Sequence, residues 1–154
     1  MKTVCIDAGF LIALYDETDE YHSRAKDYFV QYFDIVQNQL LVPWPILYET
    51  VSTRMVRHRK RMDMLKKDWE TLEKQRRLVL LDDLPFRVKA IDECFEESRK
   101  DPRRYRALSL VDRVIRNMLS EVNIKIDVFI TFNVGAVSYT HLRAHETSLH
   151  LVCR

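Results

Sequence analysis

The stretch VCIDAGFLIAL, residues 4–14, decides how the rest of the chain is interpreted. Its beginning belongs to a β-branched, apolar run at residues 2–6, which predicts a short buried strand that ends at Asp7. The apolar residues 9–15 then predict a short helix. An acid at the carboxyl end of a strand lies where ligands bind in an open parallel sheet. The same position also suits a helix N-cap, so both roles for Asp7 stay open.

The alternation of strand and helix continues along the chain. Further short apolar runs predict strands at residues 40–42, 78–81 and 127–131. Apolar residues at helical spacing predict helices at about residues 20–36, 45–56, 62–72, 85–95 and 108–122. Short apolar strands separated by helices favour an α/β fold, with a parallel central sheet and helices on both of its faces.

Composition narrows the classes of function. The chain has 154 residues, of which 47% are hydrophobic and 31% charged, and this is typical of one globular domain. It contains only two glycines, which argues against a glycine-rich phosphate loop. No run is long and apolar enough for a signal peptide or a membrane span, so the cytoplasm is the expected location. Because the net charge is only +2, any nucleic-acid binding must depend on local clusters of basic residues.

Two further acids occupy positions that a simple core pattern does not explain. Asp112 lies four residues after Leu108 and three before Ile115, so it interrupts the apolar stripe of a predicted helix. A carboxylate there must be ion-paired, hydrogen-bonded or metal-bound, or else be an early-turn acid favoured by the helix dipole. Ser109 fits the N-cap of that helix. Glu49 lies one turn into its own helix, where acids are also common on solvated faces.

Four ordered segments resemble the motifs of PIN-domain nucleases of the VapC type. Residues 4–14 resemble the opening of these domains, and residues 45–51 resemble the second motif, with Glu49 as its acid. Residues 108–112 resemble the third motif, in which Ser or Thr precedes an aspartate by three, and residues 129–133 resemble the last. The resemblance implies a PIN-like, three-layer α/β/α fold with a central parallel sheet.

The resemblance also implies a metal-dependent endoribonuclease that hydrolyses RNA phosphodiester bonds. Bound Mg²⁺ or Mn²⁺ suits this chemistry, and carboxylates are the oxygen ligands that hold such ions. The implied catalytic and metal-binding residues are Asp7, Glu49 and Asp112, with Asn133 as a further metal ligand and Ser109 and Thr131 as residues that orient them. Asn133 departs from the family pattern, because members usually carry an acid at or near that position.

A basic cluster follows the second motif and is the expected RNA-binding surface. Its members are Arg54, Arg57, Arg59, Lys60 and Arg61. Such a run is often only a solvated face, but beside an acidic metal site it favours a track for phosphates. Trp44, Tyr48 and Trp69 have the chemistry to stack bases, although Trp69 is interpreted as a core residue.

The resemblance implies partners as well as a substrate. A VapC-type toxin is expected to have an antitoxin protein, and a homodimer is a further expectation. Two alternatives stay open: a housekeeping PIN nuclease that acts in RNA maturation without an antitoxin, and a non-catalytic PIN-fold interaction module. An antitoxin-like reading frame beside the gene would separate the toxin from the housekeeping enzyme.

The end of the chain reads differently from the rest. From Val137 onward, the sequence VSYTHLRAHETSLHLVCR resembles the conceptual translation of a transposase-type sequencing adapter. The expected organisation is therefore a truncated PIN-like domain at residues 1–135, followed by a non-native tail at residues 136–154. The tail is expected to be irregular, or helical by propensity, and to contribute nothing to function.

Overall fold

The structure is a computed structural model, and it describes residues 1–99, 108–132 and 150–152. Its strands are Thr3–Ile6 (β1), Gln39–Pro43 (β2), Leu78–Leu81 (β3), Val128–Ile130 (β4) and His150–Val152 (β5). Its α-helices are Ala8–Tyr15 (α1), His22–Phe29 (α2), Trp44–Thr50 (α3), Thr53–Val56 (α4), Arg59–Lys74 (α5), Leu84–Ser98 (α6) and Leu110–Leu119 (α7).

The strands form one sheet in the order β3-β2-β1-β4-β5, and every neighbouring pair is parallel. β1 lies in the centre, where Cys5 is opposite Leu41 on one side and Phe129 on the other. All residues of β1 are buried, as expected of a central strand covered on both faces. The predicted parallel sheet and its four predicted strands are confirmed.

The fifth strand comes from the segment predicted to be an irregular or helical tail. Residues 150–152 pair in parallel with β4, so that prediction is wrong for these three residues. The run contains Leu151 and Val152, and a short apolar segment of this kind can add to an otherwise unpaired sheet edge. The rest of the tail, residues 136–149, 153 and 154, lies outside the described residues.

Two predicted helices are divided into separate pieces, and the helix predicted at residues 108–122 is shorter, at Leu110–Leu119. The helix expected at residues 20–36 is α-helical only to Phe29 and continues as a π-helix at Val30–Ile35. The helix expected at residues 45–56 is interrupted at Val51, whose backbone leaves the helical region, and α4 follows as a separate turn. Within the described part of the chain, no helix has both the length and the apolarity that a membrane crossing requires.

Helix α1 lies in the core rather than on the surface. Six of its eight residues are buried, among them Phe10 and Leu14. A helix that is apolar on nearly all sides is one that the fold encloses. Its first residue directly follows Asp7 at the end of β1, so the burial of α1 fixes the position of that acid.

Candidate active site

The candidate site lies where the strand order reverses. The chain adds β2 and β3 on one side of β1 and then adds β4 on the other side. In open α/β sheets, the crevice at the carboxyl ends of the strands beside such a reversal is where ligands bind. Asp7 directly follows β1 and Thr131 directly follows β4, and the Asp7 N–H donates to the Ile130 carbonyl at 3.2 Å. These two predicted site residues therefore lie side by side.

Asp7 uses both of its carboxylate oxygens. One oxygen accepts the Phe10 N–H at 2.6 Å and caps α1, and the other accepts the Thr131 hydroxyl. The capping role left open by the sequence is thus confirmed, and it does not exclude a ligand role because each oxygen has more than one lone pair. The hydrogen bond from Thr131 fits the expected orienting role of that residue.

Asp112 lies at the start of α7 and forms a capping box with Ser109. The Ser109 hydroxyl accepts the Asp112 N–H at 3.1 Å, and the same hydroxyl lies 2.7 Å from the Asp112 carboxylate. The expected N-cap at Ser109 is confirmed. Asp112 is only half-buried, however, so it borders the apolar stripe instead of pointing into it. The first three residues of α7, Leu110 to Asp112, are less enclosed than Val114 and Ile115, which are buried.

Three ion pairs that the sequence reasoning missed hold α7 in place. Arg113, which is buried, contacts Glu97 and lies 4.0 Å from Glu93, and Glu93 also contacts Arg116. Both glutamates belong to α6, so these pairs join the helix that carries Asp112 to its neighbour. The only sequence signal was charge spacing, with arginines three apart on α7 and glutamates four apart on α6.

Glu49 reaches the same region from α3. This helix contacts both α1 and α7, so Glu49 lies between the elements that carry the other two acids. Partial burial raises the pKa of Glu49, and the negative charges of Asp112 and Asp7 raise it further. Burial likewise raises the pKa of Asp7, against the opposing effect of its hydrogen bonds, and the charge of Asp112 adds to the rise. The charge of Asp112 therefore acts on both of the other predicted acids, Asp7 and Glu49.

The three carboxylates are not already gathered into a metal-binding cluster. Among the described residues, no three His, Cys, Asp or Glu side chains are close enough together to hold one ion. The prediction that they lie within shared reach of a metal is therefore wrong for this conformation. The reason is local, because Asp7 and Asp112 each point toward the helix N-terminus that they cap.

The kind of ligand atom, in contrast, fits the expected metal. All three side chains offer carboxylate oxygens, which Mg²⁺ and Mn²⁺ prefer. No Lys or Arg side chain of the described residues forms an ion pair with any of the three. Asn133, the fourth predicted ligand, lies outside the described residues.

The basic cluster lies near the other end of α1. Arg61 donates to Asp16 at 2.5 Å, and Arg54 lies 3.6 Å from the other oxygen of that buried carboxylate. Lys60 pairs with Glu17 at 2.6 Å. Arg59 is exposed beside Asp63, and Arg57 is exposed as well. Arg61 thus has a structural partner, while the side chains of Arg54 and Arg59 remain 79% and 94% exposed.

The comparisons with known proteins agree with this architecture. No protein-family model and no curated sequence matches the chain. Among solved structures, it is similar to VapC20 of Mycobacterium tuberculosis, described as a sarcin–ricin-loop-cleaving toxin. The two are 15% identical with a TM-score of 0.59, over 88% of this chain and 93% of that chain.

Two further similar structures are VapBC complexes solved with DNA. VapBC2 of Rickettsia felis, bound to a fragment of its promoter, is 12% identical with a TM-score of 0.53, and 98% of each chain is covered. VapBC of Salmonella typhimurium is 11% identical with a TM-score of 0.54, over 99% of this chain and 98% of that chain. At this level of identity the likeness establishes the fold, so the chain has the PIN-like α/β fold of VapC toxins.

Proposed function

We propose that this chain is a divalent-metal-dependent endoribonuclease that hydrolyses RNA phosphodiester bonds. The observation that supports the proposal is the position of Asp7 at the strand-order reversal, hydrogen-bonded to Thr131, with the negative charge of Asp112 raising the pKa of both Asp7 and Glu49. These acids, Asp7, Glu49 and Asp112, have no basic partner among the described residues, and the first two have raised pKa values. Such a group of carboxylates is electrostatically unfavourable without a cation, and this is typical of a metal site.

Each residue has a definite part in this proposal. Asp7, Glu49 and Asp112 would hold Mg²⁺ or Mn²⁺, with Asn133 as a fourth ligand. When bound, such an ion neutralises phosphate oxygens, activates water and stabilises the leaving oxygen. Thr131 fixes one oxygen of Asp7, and Ser109 fixes the carboxylate of Asp112, so both acids keep a defined direction.

The RNA strand is proposed to pass over the basic cluster. Arg54, Arg57 and Arg59 are exposed and can meet phosphates, and Arg54 also lies 3.6 Å from the buried carboxylate of Asp16. Lys60 is also exposed, whereas Arg61 is mostly enclosed beside Asp16. We therefore assign phosphate binding to the first four, and we give Arg61 a structural role with a smaller share in binding.

The test of this function is cleavage of single-stranded RNA with and without Mg²⁺. We expect wild-type cleavage to require the ion, to stop in EDTA, and to be lost in Asp7→Asn and in Asp112→Asn. Asp92→Asn, which changes an exposed acid on α6, serves as the matched control and should cleave normally. Wild-type rates in either site variant, or full activity in EDTA, would contradict the mechanism.

We further propose that the chain acts as the toxin of a type II toxin–antitoxin pair. The support is its likeness to VapC20 and to the two VapBC structures. An exposed apolar region also favours a protein partner: Val88, Ile91 and Leu110 line a cleft of about 410 Å³ between α3, α6 and α7. An antitoxin or a second copy of the chain would cover it, and the mass of the purified chain in solution separates these two.

Expression in a bacterial host tests the toxin role separately from the chemistry. We expect growth arrest by the wild-type chain and none by Asp7→Asn. A chain that cuts RNA in vitro but leaves growth unchanged would contradict the toxin role and favour an enzyme of RNA maturation. Equal growth arrest by the wild-type chain and by Asp7→Asn would contradict a catalytic origin of the effect.

A further inference from the structure

Helices α3 and α5 enclose an aromatic groove beside Glu49. The residues that line it follow the same i, i+3, i+4, i+7 pattern on both sides, which places them on one face of each helix. The lining residues are Trp44, Leu47 and Tyr48 from α3, Val51 directly after that helix, and Met62, Leu65, Lys66 and Trp69 from α5. The groove has a volume of about 520 Å³, within the range of about 300–1,000 Å³ that is usual for small-molecule sites.

The groove has an apolar floor and an aromatic rim. Leu47 and Leu65 are buried and form part of the hydrophobic core, whereas Tyr48 is 65% exposed and Trp44 is 38% exposed. The Trp44 and Tyr48 ring centres are 5.9 Å apart, at an angle of 33°. Trp69 is half-buried and packs against the core, as the sequence predicted. Exposed rings of this size are costly to leave in water unless a ligand covers them.

We propose that this groove binds an unpaired base of the RNA substrate by stacking on Trp44 and Tyr48. The inference rests on the proposed ribonuclease function and names a base-binding site next to its catalytic acids. Aromatic rings stack on any base, since every base has a π-face. Stacking also prefers offset ring arrangements, which the tilted pair can offer to a flat ligand.

The charge at the rim fits a nucleotide better than an apolar segment of protein. Lys66 lines the groove with its side chain 74% exposed, and its contact to Glu70, at 3.6 Å, is a loose surface pair. The N-terminal turn of the same helix carries two further exposed cations, Arg59 and Lys60, which pair at the surface with Asp63 and Glu17. A strand whose base lies in the groove would place its phosphates against these cations.

The position of the groove relates it to the site of cleavage. Tyr48 and Glu49 are consecutive, and neighbouring Cα atoms are about 3.8 Å apart. Tyr48 lines the groove and also the cleft between α3, α6 and α7, and the charges of Asp112 and Asp7 act on Glu49, the next residue of the helix. The stacked base therefore belongs to a nucleotide close to the cleaved bond, and the groove would select unpaired RNA.

The chain provides its own probe, because its two tryptophans both line this groove. The experiment titrates single-stranded RNA of about eight nucleotides, in EDTA so that nothing is cleaved, and records tryptophan emission. A second probe has the same ribose–phosphate backbone without bases. We expect the RNA to quench the emission and the abasic strand to bind more weakly without quenching. Equal quenching by both strands would overturn the proposal.

Paired substitutions separate stacking from general apolar contact. Tyr48→Leu and Trp44→Leu keep apolar surface without a ring, and Tyr48→Phe and Trp44→Phe keep the ring. We expect the leucine variants to bind RNA about 5- to 100-fold more weakly and the phenylalanine variants to bind nearly as well as wild type. Phe95→Leu, at an aromatic residue of α6 that is 59% exposed, is the matched control and should not change binding.

The outcomes distinguish this inference from the proposed function. Leucine variants that bind RNA like wild type would show an apolar docking groove, as for a partner helix, and would overturn the base site. RNA cleavage without quenching would overturn the groove and leave the nuclease intact. RNA that quenches tryptophan emission and binds the leucine variants more weakly, yet is not cleaved in Mg²⁺, would support the base-binding groove and overturn the proposed nuclease function. Circular dichroism of each variant confirms that it is folded.

Discussion

Helix α1 has an aspartate at each end, and the two aspartates lie in opposite electrostatic surroundings. Asp7 caps the N-terminus, where the helix dipole favours an acid, yet burial and the charge of Asp112 raise its pKa. Asp16 caps the C-terminus, where the dipole disfavours an acid, yet its pKa is lowered. The Thr18 hydroxyl is the main cause of this lowering, followed by the Thr18 N–H and the guanidinium groups of Arg61 and Arg54.

The difference shows how a structural acid can be told from a functional one. At Asp16 the protein supplies the compensating charge itself, so the carboxylate is stable without any ligand. At Asp7 it supplies neighbouring acids instead, and no cation of the described residues compensates them. An arrangement that is unfavourable in isolation becomes favourable when a divalent cation binds.

The largest expected effect is a difference in the cleavage rate between variants near the two ends of α1. Glu49→Gln should lower Mg²⁺-dependent RNA cleavage by more than about 100-fold, since even residues that only orient metal ligands cost about 10- to 100-fold. Glu17→Gln, beside the Asp16 end, should leave the rate close to wild type because Glu17 is exposed and pairs with Lys60 at the surface. Initial rates measured side by side check this, and comparable losses in both variants would remove the distinction.

The second prediction compares the free energies of unfolding of variants at the two ends of α1. Asp16→Asn should lower the free energy of unfolding by about 1–3 kcal/mol, because charge-assisted hydrogen bonds to a buried carboxylate are lost. Asp7→Asn should leave it unchanged or raise it in EDTA, because Asn still caps a helix and carries no charge to repel Asp112. Urea unfolding measures both. A larger loss in Asp7→Asn than in Asp16→Asn would reverse the comparison.

The smallest predicted effect is a difference in acid sensitivity. The folded-state pKa of Asp16 lies below its ordinary value, so its contribution to stability is present above that ordinary value and is lost as pH falls through the folded-state pKa. The wild-type chain should therefore lose more stability than Asp16→Asn below about pH 4. Melting temperatures over a pH series measure the difference. Parallel curves for the two proteins would show that Asp16 is not stabilised in this way.

The sequence was sufficient for the parts of the fold that depend on local pattern. The strand at residues 2–6, the acid that ends it and the parallel sheet follow from short apolar runs separated by helices. Ser109 was predicted as an N-cap because Ser at a helix start has a local physical role. Proximity of Asp7 to Thr131 then follows, since parallel strands end at one edge.

The parts that could not be predicted depend on packing between distant elements. Arg61 was interpreted as part of an RNA-binding surface, and its contact with Asp16 spans 45 residues of sequence. The pairing of Arg113 with Glu97 requires the relative position of two helices, which periodicity does not fix. The same holds for the pairing of residues 150–152 with β4, because edge pairing depends on what the fold leaves open.

The most direct test of the central claim is calorimetric titration of Mn²⁺ into three proteins: the wild-type chain, Asp7→Asn and Asp16→Asn. We predict that the wild-type chain and Asp16→Asn bind the ion, and that Asp7→Asn binds it at least about 10-fold more weakly. This result would place the cation at the end of α1 that lacks a compensating charge. Equal affinity in Asp7→Asn, or no binding by the wild-type chain, would contradict the assignment of a metal site to Asp7, Glu49 and Asp112.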